Sequence, residues 1–117
     1  MEDYHRKVRI EGEVALELVQ SMIYPAAAAE YTKLAAGANA AGKLPGAAGL
    51  KKRAALLGRK LDELSAQADD LAKALHGLHE EILEAMAKIR VTVDELEKIV
   101  PDSSWPLPKY REMLFVY

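Results

Sequence analysis

The sequence lacks cysteine altogether, has one tryptophan and one phenylalanine, and contains no long apolar run. Without cysteine it forms neither disulfides nor thiolate metal sites, and we expect a reducing compartment, the cytoplasm. A membrane span needs about 18 apolar residues, and the charged start MEDYHRKVRIEGE is unlike a signal peptide. A net charge of -2 provides no global field for nucleic acid or an anionic membrane. We therefore expect a soluble protein without nucleic-acid or membrane partners.

Apolar spacing predicts a long first helix over residues 3–36, ending before a glycine-rich connector. Its apolar positions include Ile10, Val14, Leu18 and Met22, with Ala15 and Val19 beside them. Pro25 lies inside this helix, and we expect a kink because proline has no N–H and clashes with the preceding turn. Residues 37–47 form the predicted connector, since GANAAGKLPGAAG holds four glycines and one proline.

A second apolar pattern alternates steps of three and four residues, as in the seam of a helical bundle. A single helix from Leu50 to Val100 would measure about 75 Å, longer than the first helix covers. We expect the helix to break at Gly77, which can adopt the left-handed conformation of a helix end, accompanied by an apolar contact from Leu78. Glu80 and Glu81 then suit the first turn of the following helix. The seam comprises Leu50, Ala54, Leu57, Leu61, Leu64, Ala68, Leu71, Leu75, Leu78, Ile82, Ala85, Ile89, Thr92, Leu96 and Ile99.

These patterns predict an all-α fold in one domain, 1–117: an antiparallel three-helix bundle with helices 3–36, 48–76 and 79–100. The rival architecture is an unbroken second helix that projects beyond the first. Pro101 ends the last helix and pushes Val100 out of helical geometry. The tail 101–117 begins with a turn and continues as an extended Trp-Pro-x-Pro segment.

Two motifs resemble chemical sites but are better explained otherwise. GANAAGKL, residues 37–44, approaches the phosphate-binding loop, yet a helix precedes it and Leu44 replaces the hydroxyl that binds magnesium. His76, His79, Glu80 and Glu84 have metal-binding side chains, but no second cluster completes a coordination shell. We expect a connector and a solvated turn, with no catalytic, cofactor-binding or metal residue.

Two stretches are candidates for interaction surfaces. Six basic residues and no acidic one lie between Lys43 and Lys60. Lys51, Lys52 and Arg53 also lie near a helix start, where positive charge is unfavourable, so either an acidic partner compensates or the face is simply solvated. The tail is the second candidate, docking on a neighbour or capping its own bundle. Its candidate contact residues are Trp105, Pro106, Pro108, Tyr110, Leu114 and Phe115.

Three segments carry a resemblance to a known family. DELEKIVPDSSWPLPKYREMLF (94–115) resembles the C-terminal signature of type III glutamine synthetases, and LEAMAKIR (83–90) resembles the helix before it. YHRKVRIEGEVALELVQSMIYPAAAAEY (4–31) resembles the helix that follows the catalytic domain of that family, including its I-x-P-A kink. The likeness covers both ends of the chain, whereas the middle agrees only in helical pattern.

The resemblance implies a C-terminal helical domain of an ATP-dependent glutamate–ammonia ligase. In that family, strand residues elsewhere hold ATP and Mg²⁺ or Mn²⁺, and none of those motifs occurs here. The chain alone is then no enzyme; it packs on the parent's catalytic domain or between subunits of a homo-oligomer. The alternative is a free-standing adaptor that binds a partner helix along the seam from Leu50 to Ile99. Lipid binding is disfavoured because the polar faces mix charge signs.

Overall fold

The computed structural model describes residues 2–105, and all regular structure within them is helical. In chain order it consists of α1 (Glu2–Leu18), a π-helical segment (Val19–Ile23), α2 (Tyr24–Ala41), α3 (Ala47–Ala74), α4 (His79–Ile99) and a 3₁₀ turn (Asp102–Ser104). Because α1, the π segment and α2 are continuous, the chain makes three long helical rods. The all-α prediction is confirmed for residues 2–105, and so is the break between α3 and α4.

The first rod passes through Pro25 by way of the π-helical segment. The N–H of Tyr24 donates to the carbonyl of Val19, five residues earlier. Pro25 has no N–H to donate to the carbonyl of Ser21, and the wider π-helical turn just before it makes room for the proline ring. Ser21 Oγ donates to the Glu17 carbonyl at 2.7 Å within the same region. The helical backbone therefore continues, while the expected kink stays a prediction.

The connector is shorter than the glycine content predicted. Helix α2 extends to Ala41 and α3 begins at Ala47, so the loop covers 42–46 instead of 37–47. Gly37 stays helical because an interior glycine costs only about 1 kcal/mol and its neighbours are strong helix formers. The turn is made where φ is positive, at Gly42 (59°) and Gly46 (98°), a conformation that glycine adopts without strain.

The turn between α3 and α4 also differs from its prediction. Among the described glycines only Gly42 and Gly46 have positive φ, so the left-handed end expected at Gly77 was wrong. Instead the N–H groups of His76 and Gly77 donate to the carbonyls of Lys73 and Ala74, at 3.1 and 2.8 Å, which tightens the last turn. Leu78 is 64% exposed and makes no core contact of the kind expected.

One apolar cluster joins all three rods. Helices α3 and α4 bury most of the predicted seam; Leu50, Leu75 and Ile99 are half-buried, and Leu78, in the turn between the two helices, is exposed. On the first rod, Ala15 and Val19 are buried as predicted and Leu18 is half-buried, but the other buried positions are Val8, Ile23 and Ala27. Ile10, Val14 and Met22 are 51, 49 and 41% exposed, so their prediction as the inner stripe was wrong. The small alanine and valine side chains among the buried positions allow close packing of the rods.

Candidate interaction surfaces

The histidines and glutamates around the turn between α3 and α4 do not come together as a metal site. His79 Nε2 lies 3.3 Å from Glu80 Oε1, and the His79 ring makes edge contacts with Tyr4 and His5, with centroids 5.2 and 5.8 Å apart. These contacts tie the start of α1 to the start of α4. Within residues 2–105, no three side chains of the metal-binding types form a group.

The phosphate-loop resemblance also has no counterpart in the local backbone. Residues 37–41 are the last turn of α2, so their N–H groups face along a helix instead of around a loop. Lys43 and Leu44 are exposed in the connector. The chain here is a helix end followed by a tight turn.

In the basic cluster at the start of α3, Arg53 has an intramolecular partner within residues 2–105. Arg53 Nη2 donates to the carbonyl of Ile99 at 2.9 Å. That carbonyl belongs to the last turn of α4, where unsatisfied acceptors concentrate negative partial charge, so a guanidinium is favourable there. Part of the compensation for the positive charge at this helix start thus comes from α4. Lys51 and Lys52 are exposed.

The start of the tail folds against its own chain. Val100 and Trp105 are both extended, with φ, ψ of -81°, 130° and -88°, 111°, as expected before proline. Trp105 is partly buried against the apolar cluster. Its Nε1 is buried and has no hydrogen-bond partner among the described residues. The remaining tail residues of the predicted surface, Pro106, Pro108, Tyr110, Leu114 and Phe115, lie outside the described residues.

Besides the Arg53 hydrogen bond, two polar contacts connect α3 to α4. Lys60 Nζ lies 3.0 Å from Glu95 Oε2 and 3.3 Å from Glu63 Oε2. The hydrogen bond to Glu95 raises the pKa of Lys60 above its usual 10.5; burial opposes this increase, and Glu63 reinforces it. Thr92 is 2% exposed, and its Oγ1 donates to Gln67 Oε1 at 2.7 Å. The buried hydroxyl of Thr92 therefore has a hydrogen-bond partner although the seam around it is apolar.

A groove of about 460 Å³ runs between α2 and α3. The Tyr31 ring covers Gly58 so closely that a Cβ there would lie 2.9 Å from Cε1 of the ring. A second depression continues past Tyr24 toward Ser65 and Asp69. The sequence pattern does not predict this groove, because its signal, Gly58 on α3 beside Tyr31 on α2, becomes visible only once the two helices are paired.

The seam that the adaptor hypothesis needs is occupied by the chain itself. Leu57, Leu64, Leu71 and Ile89 are each 0% exposed and belong to the same cluster as the first rod. A partner helix would have to displace that rod, so the observed packing disfavours this alternative.

Comparison with known proteins gives one local similarity to a named enzyme. A 39-residue stretch is 46% identical to a type-3 glutamine synthetase of Dictyostelium discoideum. The stretch is 33% of this chain but only 5% of that enzyme. No family model matches the chain. No solved structure matches it significantly. Within residues 2–105, every helix is too short or too polar to cross a membrane.

Proposed function

We propose that the chain is the C-terminal helical domain of a type III glutamine synthetase, with a structural role in domain packing or subunit assembly. The 46% identity over 39 residues to such an enzyme carries this proposal. The Trp-Pro-x-Pro ending and the two helical segments described above support it. By the same resemblance, ATP and Mg²⁺ or Mn²⁺ are bound by the parent's catalytic domain, and this chain contributes no catalytic residue. The enzyme acts in the cytoplasm.

The domain is proposed to be an antiparallel bundle. The support lies in the side-chain contacts between α3 and α4. Residues later in α3 contact residues earlier in α4, as expected for two helices that run in opposite directions. The three pairs are Arg53 with Ile99, Lys60 with Glu95, and Gln67 with Thr92. A rigid bundle of this kind suits a spacer or an assembly element, because its shape depends little on loops.

The outer face of α1 is the proposed contact with the catalytic domain. Ile10 and Val14 are half-exposed although they are large and apolar. Apolar side chains on one exposed face gain free energy when a second surface removes them from water. This helix belongs to the segment that resembles the one following the catalytic domain, so it is suitably placed in the sequence for such a contact.

A binding experiment tests the proposal. The purified chain is titrated against a type III glutamine synthetase that lacks its own C-terminal helical region, and binding is measured by calorimetry. We expect binding by the wild-type chain, at least about tenfold weaker binding by the Ile10→Gln/Val14→Gln variant, and no glutamine synthesis by the chain alone. Val91→Gln is the matched control, since Val91 is a 61% exposed apolar residue on α4.

Two results would contradict the proposal. One is the formation of glutamine from glutamate, ammonia and ATP by the isolated chain. The other is the absence of binding to the truncated enzyme while circular dichroism shows that the chain is folded.

A further inference from the structure

The outward face of α3 carries a regular row of residues opposite the buried seam. Steps of three and four along a helix keep side chains on one face, so the row is the exposed counterpart of the buried seam. All of its members are exposed. The row consists of Lys52, Ala55, Arg59, Asp62, Ala66 and Asp69.

Charge on this helix is divided by sign. Between Lys43 and Lys60 there are six basic residues and no acidic one, whereas residues 61–72 contain four acidic residues and no basic one. On the outward row, Lys52 and Arg59 therefore lie on one side of the midpoint, and Asp62 and Asp69 lie on the other. A face whose two halves have opposite charge is complementary to itself when it is turned end over end.

The charged residues of this row make no ion pairs within residues 2–105. The described salt bridges join Lys60 to Glu63 within α3 and to Glu95 on α4, and the others lie within α4. Lys52, Arg59, Asp62 and Asp69 take part in none of them. Their charges are thus available to an external partner.

We propose that this face binds a second copy of the chain, with the two α3 helices antiparallel about a two-fold axis. A single register aligns the whole row: Arg59 lies opposite the partner's Asp62, Lys52 lies opposite the partner's Asp69, and Ala55 lies opposite the partner's Ala66. The symmetry repeats each pair, so one register provides four ion pairs. If one α3 helix is shifted by a heptad along the other, some of these ion pairs are lost. The ion pairs therefore favour this one alignment of the two helices.

The side chains between the charges permit close approach. Ala55 and Ala66 are the uncharged members of the row, and small residues at a helix contact allow the backbones to approach. Beside the row, the groove between α2 and α3 presents Tyr24 and Tyr31, which are 36 and 38% exposed. These rings flank the proposed contact and add apolar area next to its ion pairs.

This inference gives the proposed assembly role a face and a register, and it rests on that role only in part. The α3 face lies on a different helix from the proposed α1 contact with the catalytic domain. Variants of one face therefore leave the other intact, and either idea can fail alone.

Charge reversal tests the pairing. Association of the full chain is measured by sedimentation equilibrium at low and high salt. We expect a wild-type dimer that weakens with salt, and at least about tenfold weaker association for Arg59→Asp and for Asp62→Arg, since each places like charges opposite one another. The Arg59→Asp/Asp62→Arg double variant should dimerise again. A mixture of the two single variants should form a heterodimer, because both of its central pairs are then attractive.

The charge-reversal test has a matched control on α2 and defined results that would contradict the pairing. Lys33→Asp makes the same charge change as Arg59→Asp on an exposed α2 position and should leave association unchanged. Circular dichroism verifies that each variant is folded. A wild-type chain that stays monomeric at low salt overturns the proposal, and so does a dimer that Arg59→Asp does not weaken or that the double variant does not restore.

Discussion

Gly12 on α1 packs directly against Ile82 on α4. A Cβ at position 12 would lie 2.8 Å from Cγ2 of Ile82 and 2.8 Å from Cδ2 of Leu75. Real Cβ atoms essentially never approach another carbon so closely, so the two rods meet here only because the residue has no side chain. Nearer its N-terminus, α1 also contacts α4 through Tyr4 and His5, whose rings lie against His79.

Gly12→Ala should therefore lower stability. Alanine gains about 1 kcal/mol in helix propensity, but overpacking costs about 1–3 kcal/mol, because Ile82 and Leu75 must both move. Chemical denaturation measures the net change in the free energy of unfolding. Gly49→Ala is the matched control, since a Cβ there meets nothing within 4 Å on a helical backbone, and it should stabilise by about 0.5–1 kcal/mol. Equal effects of the two substitutions would contradict the close packing.

Thr92→Val should cost about 1 kcal/mol through loss of the hydrogen bond to Gln67. Valine nearly preserves the shape of threonine, so the change isolates the hydroxyl. A double-mutant cycle with Gln67→Ala, followed by urea denaturation, should give a coupling energy of about 0.5–1 kcal/mol. Thr92→Ala should cost more, because it also opens a cavity beside Ile89 and Leu96 in the buried seam. Additive effects of Thr92→Val and Gln67→Ala would show that the 2.7 Å contact adds nothing to stability.

The raised pKa of Lys60 should make stability depend on pH in the alkaline range. The pKa of Lys60 is raised in the folded chain, so its contribution is fully present below the unfolded value of 10.5 and is lost as the pH rises past the folded pKa. Lys60→Met should cost no more than about 1 kcal/mol at neutral pH, because the carboxylates of Glu63 and Glu95 are 49 and 43% exposed. The difference in unfolding free energy should shrink above about pH 10.5. Lys60→Arg, which keeps its charge there, should show no such loss, and a constant difference for Lys60→Met would refute the prediction.

Trp105→Ala should destabilise the chain by about 1–3 kcal/mol, because the ring packs against the apolar cluster. Trp105→Phe should cost less than half as much, since Nε1 has no hydrogen-bond partner among the described residues and only part of the ring area is lost. Thermal denaturation monitored by circular dichroism measures both. The sole tryptophan also reports directly: its fluorescence should shift to the red on unfolding. No change in either measurement would mean that the start of the tail does not pack on its own helices.

The sequence by itself determined the helical class and the core of α3 and α4. Their leucines and isoleucines repeat at steps of three and four, and so narrow an apolar row can be buried in only one orientation. Pro101 fixed the end of α4, because a proline excludes helical geometry at Val100. The acidic first turn of α4 was equally readable, since Glu80 and Glu81 favour a helix N-terminus.

Only the tertiary structure decided which face of the first rod is inside. The apolar face of α1 is broad, so periodicity could not decide whether its edge at Ile10 and Val14 or its edge at Val8 and Ala15 faces the core. The choice depends on how closely the rods pack, and the face with glycine and alanine permits the shorter distance. The tertiary structure also decided the hydrogen bond from Arg53 to the carbonyl of Ile99, which lies 46 residues later in the chain. Contacts of this kind are set by the packing of distant segments, and local propensity carries no information about them.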